Sequence, residues 1–378
     1  MVNSKTSALG IIFPNSYDHL VPELVNVRLM ASIPFASRYR IIDFLLSSMT
    51  NCDITNISVM VNKNYHSLMD HLGSGREWDL VRKNGGLNIF PPNAESTGIT
   101  YTGRISALAS ILGFLRAQKE KYVVIADCNT VLNFDFKAMI NAHIASGADI
   151  SIAYAQQEIP AGYLNQSDAK GFYYTFSIDE GRINKFYVNP KTEGIQNLSL
   201  GIFLVERELL IDLITTAFVR GQKYFERDLL LTQLGKLKVY GYKYDGYVAR
   251  ITGLKEYFDE NMKLLDDYNL DALFTNPVYT KIRDDNPSRY IAGASVKNTM
   301  AADGCIIEGE VENSVLFRGV KIGKGAKVKN CILMQDTVIE AGASIEYLIT
   351  DKKAVISAGK EMKGTDSFPV YIGKSQTV

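Results

Sequence analysis

The chain has 378 residues, 46% of them hydrophobic and 22% charged, and its 41 basic side chains balance 41 acidic ones to a formal net charge of zero. That balance offers no electrostatic attraction for nucleic acid or an anionic membrane, so neither is expected as a partner. The run Met1 to Ser7 lacks the charged start and long apolar core of an export signal, and no stretch approaches the length of a membrane span, so a cytoplasmic protein is expected.

Up to about residue 260 apolar strands alternate with amphipathic helices, the pattern of a mostly parallel sheet covered on both faces. Ala8 to Phe13, Ile57 to Val61, Tyr122 to Ala126 and Ile150 to Tyr154 are continuous runs suited to strands buried on both sides. Between them, Ile41 to Thr50 puts Ile42, Leu45 and Leu46 on one helical face, and Gly103 to Lys119 repeats Ala107, Ile111 and Leu115 at spacing four. Asp179-Glu180-Gly181 separates two alternating runs within Phe172 to Asn189 and predicts a hairpin.

From about Asp266 the chain becomes a turn-rich connector containing Pro277 and Pro287. Aliphatic residues then open units of six at 320, 326, 332 and 338, with Ile356 back in phase. This is the hexapeptide pattern of a parallel β-helix, whose corner residues stack one coil apart; an antiparallel β-domain is the alternative. The organisation expected is an α/β domain over 1–262, a connector over 263–290 and a β-helix over 291–378. Cys52, Cys128, Cys305 and Cys331 form no C-x-x-C pair and read as reduced thiols, and none of the four histidines joins a cluster with metal-ligand spacing, so no metal site is expected.

The run Pro34-Phe35-Ala36-Ser37-Arg38-Tyr39-Arg40-Ile41-Ile42-Asp43-Phe44-Leu45-Leu46-Ser47-Ser48, with Asn51 to Ile57, His66 to Leu72 and Trp78-Asp79-Leu80, resembles the ADP-glucose pyrophosphorylases, the glucose-1-phosphate adenylyltransferases of bacterial glycogen synthesis. Nearly the whole chain is covered, and the likeness is strongest to the non-catalytic or weakly catalytic subunit type of Gram-positive bacteria. The resemblance implies a Rossmann-like, GT-A-like nucleotidyltransferase domain followed by a left-handed parallel β-helix. It also implies a hetero-oligomer, a tetramer, with a catalytic homologue, a homodimer being an option for the chain alone.

Nucleotidyl transfer needs a glycine-rich phosphate loop, carboxylates for magnesium and a cation on the sugar phosphate. Where the family carries G-G-x-G-[ST]-R-L, this chain has Phe13-Pro14-Asn15-Ser16-Tyr17-Asp18-His19-Leu20, without glycine and with a repelling acid, and it reads as a surface turn. The resemblance equates the two metal aspartates with Asn129 and Arg250, the sugar-phosphate lysine with Asn189, and a further lysine with Met30. An amide holds a hard dication poorly, and a guanidinium about 5 Å from it costs several kcal/mol even at an effective dielectric of about 20. Arg250 is therefore read as a structural ion-pair residue, with an anionic ligand or occupation of the emptied metal position as alternatives, and Asp127 as a cap of the following turn.

Asn62, Tyr101, Gly103, Ser199 and Gly201 remain as candidate nucleotide or sugar contacts, each with a core or turn explanation beside it. Arg28, Arg38 and Arg40 are candidates for a phosphorylated effector, or Arg38 and Arg40 pair with Asp43 or Asp53. The expectation is a regulatory, catalytically impaired subunit without a cofactor of its own, magnesium belonging to the catalytic partner. The alternatives are an autonomous adenylyltransferase using Asp127 and Asp135 as substitute ligands, and a sugar-phosphate or nucleotide sensor.

Overall fold

A computed structural model describes residues 7–91, 103–165 and 172–378. Its centre is a nine-stranded sheet of β1 (Ala8–Phe13), β2 (Asn56–Met60), β3 (Gly86–Phe90), β4 (Tyr122–Asp127), β5 (Ile150–Gln157), β6 (Tyr174–Asp179), β7 (Arg182–Val188), β8 (Gln196–Glu206) and β9 (Val239–Lys243). The strand order is β3-β2-β1-β4-β8-β5-β9-β7-β6. β3, β2, β1 and β4 run parallel, and every residue of β1 and β2 is buried, as continuous apolar runs require. β8 enters antiparallel between β4 and β5, so the sheet changes direction beside the C-terminal end of β4. The hairpin around Asp179-Glu180-Gly181 joins β6 to β7, with Glu180 and Gly181 at φ 47° and 81°.

The helix Ile41–Asn51 begins where the Asp43 carboxylate accepts the Arg40 backbone N–H at 2.9 Å, which satisfies one of the donors a helix start leaves open. The connector opens with a helix, Asp267–Leu273, capped by Asp266, before the irregular stretch with Pro277 and Pro287.

The C-terminal coils form two parallel sheets. Their ladders correct the six-residue phase: Lys321 pairs with Val338 and Ile322 with Ile339, then Val338 with Val355 and Ile339 with Ile356. Successive full coils are thus offset by seventeen positions, one short of three hexapeptides, because the turns at the corners do not each consume a whole unit. Ile322, Ile339 and Ile356 stack through the interior, as do Val328 and Ile345.

The two bodies share one core, in which Leu29, Ile33 and Phe35 cluster with Val315, Phe317, Ile332, Met334 and Ile349 of the coils. All four cysteines are free and buried. No described helix is long and apolar enough to cross a membrane.

Candidate functional site

At the end of β4, Asp127 faces Arg104, the first residue of the helix Arg104–Ser110. Arg104 Nη2 donates to both Asp127 oxygens at 2.6 and 2.8 Å, and Nη1 pairs with Glu226 from the π-helical turn Phe225–Leu230. The guanidinium lies 4.9 and 5.6 Å from the ring centres of Phe13 and Phe203. Burial alone would depress the Arg104 pKa, but Asp127 and Glu226 outweigh it and hold the group above its ordinary value. Burial pushes Glu226 up, with Arg104 opposing, as expected when one cation serves two acids.

The loop after β1 is stitched across this ion pair, which corrects the reading of it as a simple surface turn. The Ser16 hydroxyl donates to Asp127 Oδ1 at 2.6 Å, the Tyr17 hydroxyl to the Phe172 carbonyl at 3.1 Å, and the Met30 N–H to Asp18 Oδ1 at 2.8 Å. Asp18 has its pKa pushed up to about 7 by burial, against the pull of the Met30 N–H and Lys63. Asp127 therefore does not cap the next turn, and its oxygens are already engaged by Arg104 and Ser16. Asp135 caps the helix Phe136–Ser146 by accepting the Ala138 N–H at 2.9 Å.

Beside this pair a cleft of about 210 Å³ is lined by Asn15, Asn62, Gly103, Phe172 and Tyr224 among others. Ser199 and Gly201 do not line it; they build the irregularity of β8, where Ser199 Oγ accepts the Gly201 N–H at 3.1 Å. Gly201 has φ 67°, and a Cβ there would lie 2.6 Å from Asp127 Oδ2, so this glycine lets β8 pass the carboxylate. Met30 is buried in the core. Tyr101 lies outside the described residues.

Asn129 and Arg250 come together on a two-stranded ribbon, Thr130–Val131 against Ala249–Arg250, in which Arg250 opposes Thr130 and the Ile251 N–H donates to the Asn129 carbonyl at 2.9 Å. Both side chains converge on Tyr163. Asn129 Nδ2 donates to its hydroxyl at 2.6 Å, and Arg250 Nη1 approaches it at 3.5 Å. Tyr163 in turn stacks on Tyr173 with ring centres 4.8 Å apart and planes 8° from parallel. Asn189, at φ 48°, accepts the Tyr173 N–H on its side chain at 2.9 Å and donates its own N–H to the Tyr173 carbonyl at 3.0 Å. The positions equated with two metal aspartates and the sugar-phosphate lysine are thus joined through a pair of tyrosines that the sequence reading missed. Its signal was Gly162, at which a Cβ would overlap the Thr252 carbonyl, so the turn Ala161–Leu164 can rest directly on the strand that carries Arg250.

Arg250 corrects its own expectation too: among the described residues no carboxylate pairs with it, and its Nε and Nη2 have no partner. Magnesium does not fit these groups, because a dication needs oxygen donors bearing lone pairs and Arg250 presents protons.

A second cleft, of about 410 Å³, lies at the junction of the two bodies and is lined by Arg38, Arg40, Lys281, Arg283, Arg318 and Lys352, with Asp70 as its acid. Neither Arg38 nor Arg40 pairs with Asp43, whose oxygens accept the Arg40 backbone N–H and meet His71 Nε2 at 2.6 Å; Arg40 instead donates to the Ser67 carbonyl at 2.7 Å. Burial and the charges of Arg40 and Arg28 hold Lys352 down to about 7, against the pull of Asp351. Arg318, also depressed by burial and then by Arg38, leaves Nε without a partner among the described residues, as Thr280 leaves its hydroxyl. Arg28 does not line this cleft. It is buried against Asp351, to which Nη2 donates at 2.7 and 2.8 Å.

Comparison with known proteins accords with this architecture. Residues 26–242 match the nucleotidyl transferase family, and residues 282–367 match the GlmU-like C-terminal hexapeptide family. The glycogen biosynthesis protein GlgD of Bacillus subtilis (strain 168) is 33% identical over 322 residues, covering 85% of this chain and 82% of its own. GlgD of Geobacillus stearothermophilus is 38% identical over 323 residues, with the same coverage of 85% and 82%. The glucose-1-phosphate adenylyltransferase of Geobacillus stearothermophilus is 32% identical over 304 residues, covering 79% of this chain and 76% of its own. With a nucleotidyl transferase domain, a hexapeptide β-helix and relatives of this similarity over most of its length, the chain belongs to the ADP-glucose pyrophosphorylase family and is GlgD-like.

Proposed function

We propose that the chain is a regulatory, catalytically impaired subunit in glycogen biosynthesis, which assembles with a catalytic homologue in a hetero-oligomer and tunes its production of ADP-glucose from ATP and glucose-1-phosphate. The observation that carries this reading is the meeting of Arg250 and Asn129 on Tyr163, where the family resemblance places two metal carboxylates. Magnesium then acts in the catalytic partner, and this chain needs no cofactor. The reading places it in the cytoplasm with its partner.

Tuning a partner requires different affinities for its active and inactive states. The junction cleft supports a route: a phosphorylated metabolite bound by Arg40, Arg318 and Lys352 would draw the transferase-like body and the coils together. An autonomous adenylyltransferase is disfavoured, because Arg104 and Ser16 occupy Asp127 while Asp135 caps a helix.

The test is size-exclusion chromatography and kinetics of the purified chain mixed with its catalytic homologue. Co-elution with a raised maximal rate or an altered effector response is expected. Separate elution with unchanged kinetics would overturn the proposal.

A further inference from the structure

We infer that the donor cluster behind Tyr163 is a binding site for a small monovalent inorganic anion, of halide or formate size. Arg250 is 5% exposed, Thr252 1%, Tyr163 2% and Asn129 2%. In this buried neighbourhood Arg250 Nε and Nη2 and the Thr252 hydroxyl lack partners among the described residues. Nε and Nη2 form the edge of a guanidinium that ordinarily grips two oxygens of an oxyanion.

Arg250 ends the strand Ala249–Arg250 and Thr252 lies in the bend that follows it, and the two rest against consecutive residues of one turn. Arg250 Nη1 reaches the Tyr163 hydroxyl at 3.5 Å, and a Cβ at Gly162 would lie 2.8 Å from Thr252 Oγ1.

The side-chain groups are donors almost throughout. The Tyr163 oxygen already receives Asn129 Nδ2 and faces Arg250 Nη1, so its own O–H is left to donate. A guanidinium does not shed its proton in a protein, and an unpaired buried charge is strongly unfavourable. Within the described residues no carboxylate pairs with Arg250, and the Tyr163 ring, whose centre lies 5.9 Å from the guanidinium, attracts the cation without neutralising it. Water is poorly matched, because it brings two protons that themselves need acceptors. An anion accepts from all these donors and cancels the charge. Burial limits its size, and one guanidinium sets its charge at minus one. The position left by a metal carboxylate has thereby inverted its preference from cation to anion, independently of whether the chain has a partner.

The test follows thermal unfolding of the full chain while sodium bromide replaces sodium gluconate at constant ionic strength, alongside anomalous diffraction from bromide-soaked crystals. A saturable rise in Tm is expected, lost in Arg250→Met and weakened in Thr252→Val, with a bromide peak at hydrogen-bond distance from Arg250 Nε or Nη2. Equal bromide responses in the parent chain and both variants, or a water or protein acceptor on Nε and Nη2 in the bromide-soaked crystal, would overturn the site. Should Arg250→Met fail to fold, Thr252→Val and the diffraction experiment decide it.

Discussion

Arg28 and Asp351 stand 323 residues apart in sequence, and Arg28 Nη2 donates to both Asp351 oxygens at 2.7 and 2.8 Å in a pair buried on both sides, which ties the transferase-like body to the β-helix. The Tyr371 hydroxyl also donates to Asp351 Oδ2 at 2.9 Å, and the Lys352 N–H donates to Oδ1 at 2.6 Å, so the carboxylate is satisfied from three directions. Arg28→Ala would leave that carboxylate buried without its cation, a loss of about 3–5 kcal/mol. Chemical denaturation should show this loss, and Arg28→Met with Asp351→Leu should recover much of it. Equal stability of Arg28→Ala and the parent chain would contradict the interdomain role.

The next residue, Lys352, makes the junction pH-sensitive. Its folded pKa of about 7 lies below the ordinary lysine value of 10.5, so between these values the unfolded chain binds more protons than the folded one. Its contribution to stability therefore rises with pH across that window, and Lys352→Met should remove this component of the profile. Phosphoanion binding follows the opposite sign, because the protonated amine is the better partner. Calorimetry with fructose-1,6-bisphosphate or AMP should show affinity falling as pH rises through about 7, with the fall blunted in Lys352→Met.

Arg104 serves two buried acids, and Arg104→Ala would leave Asp127 and Glu226 facing each other without their cation. A destabilisation of about 3–5 kcal/mol is expected by urea titration. Neutralising the acids in the same variant, with Asp127→Asn and Glu226→Gln, should restore part of the loss. No restoration would show that Arg104 acts through packing on Phe13 and Phe203 alone.

Gly162→Ala places a methyl group into the Thr252 carbonyl, which is backbone and cannot swing aside. The turn carrying Tyr163 must then lift from the Arg250 strand, at a cost of about 1–3 kcal/mol. Tyrosine fluorescence and Tm should change together; an unaltered Tm would show that the turn is not seated as described.

These contacts divide what a single sequence discloses from what it conceals. Runs such as Ala8–Phe13 and Tyr122–Asp127 are legible because a strand buried on both faces must be apolar throughout. The family resemblance equates Asn129 and Arg250 with two metal aspartates, but the two-stranded ribbon that brings them together is too short to show in the sequence pattern. What fills the site was not legible. Tyr163 reaches it from a four-residue helical turn whose apolar pattern is too short to register, and nothing local to Arg104 announces Asp127 and Glu226, which lie 23 and 122 positions away. Likewise the sequence makes Arg28 a candidate for a phosphorylated effector, because nothing local to it announces Asp351. The coil offset of seventeen escaped a six-residue count of aliphatic positions because it is written in the corner turns, where Gly325, Gly342 and Gly359 take positive φ one coil apart.

The most direct measurement is pyrophosphate release from ATP and glucose-1-phosphate, with magnesium, by the purified chain alone and by its Asp127→Asn variant. With Asn129 and Arg250 turned to Tyr163 and Asp127 held by Arg104, neither protein should turn over above background. Magnesium-dependent turnover by the parent chain that disappears in Asp127→Asn would contradict the account.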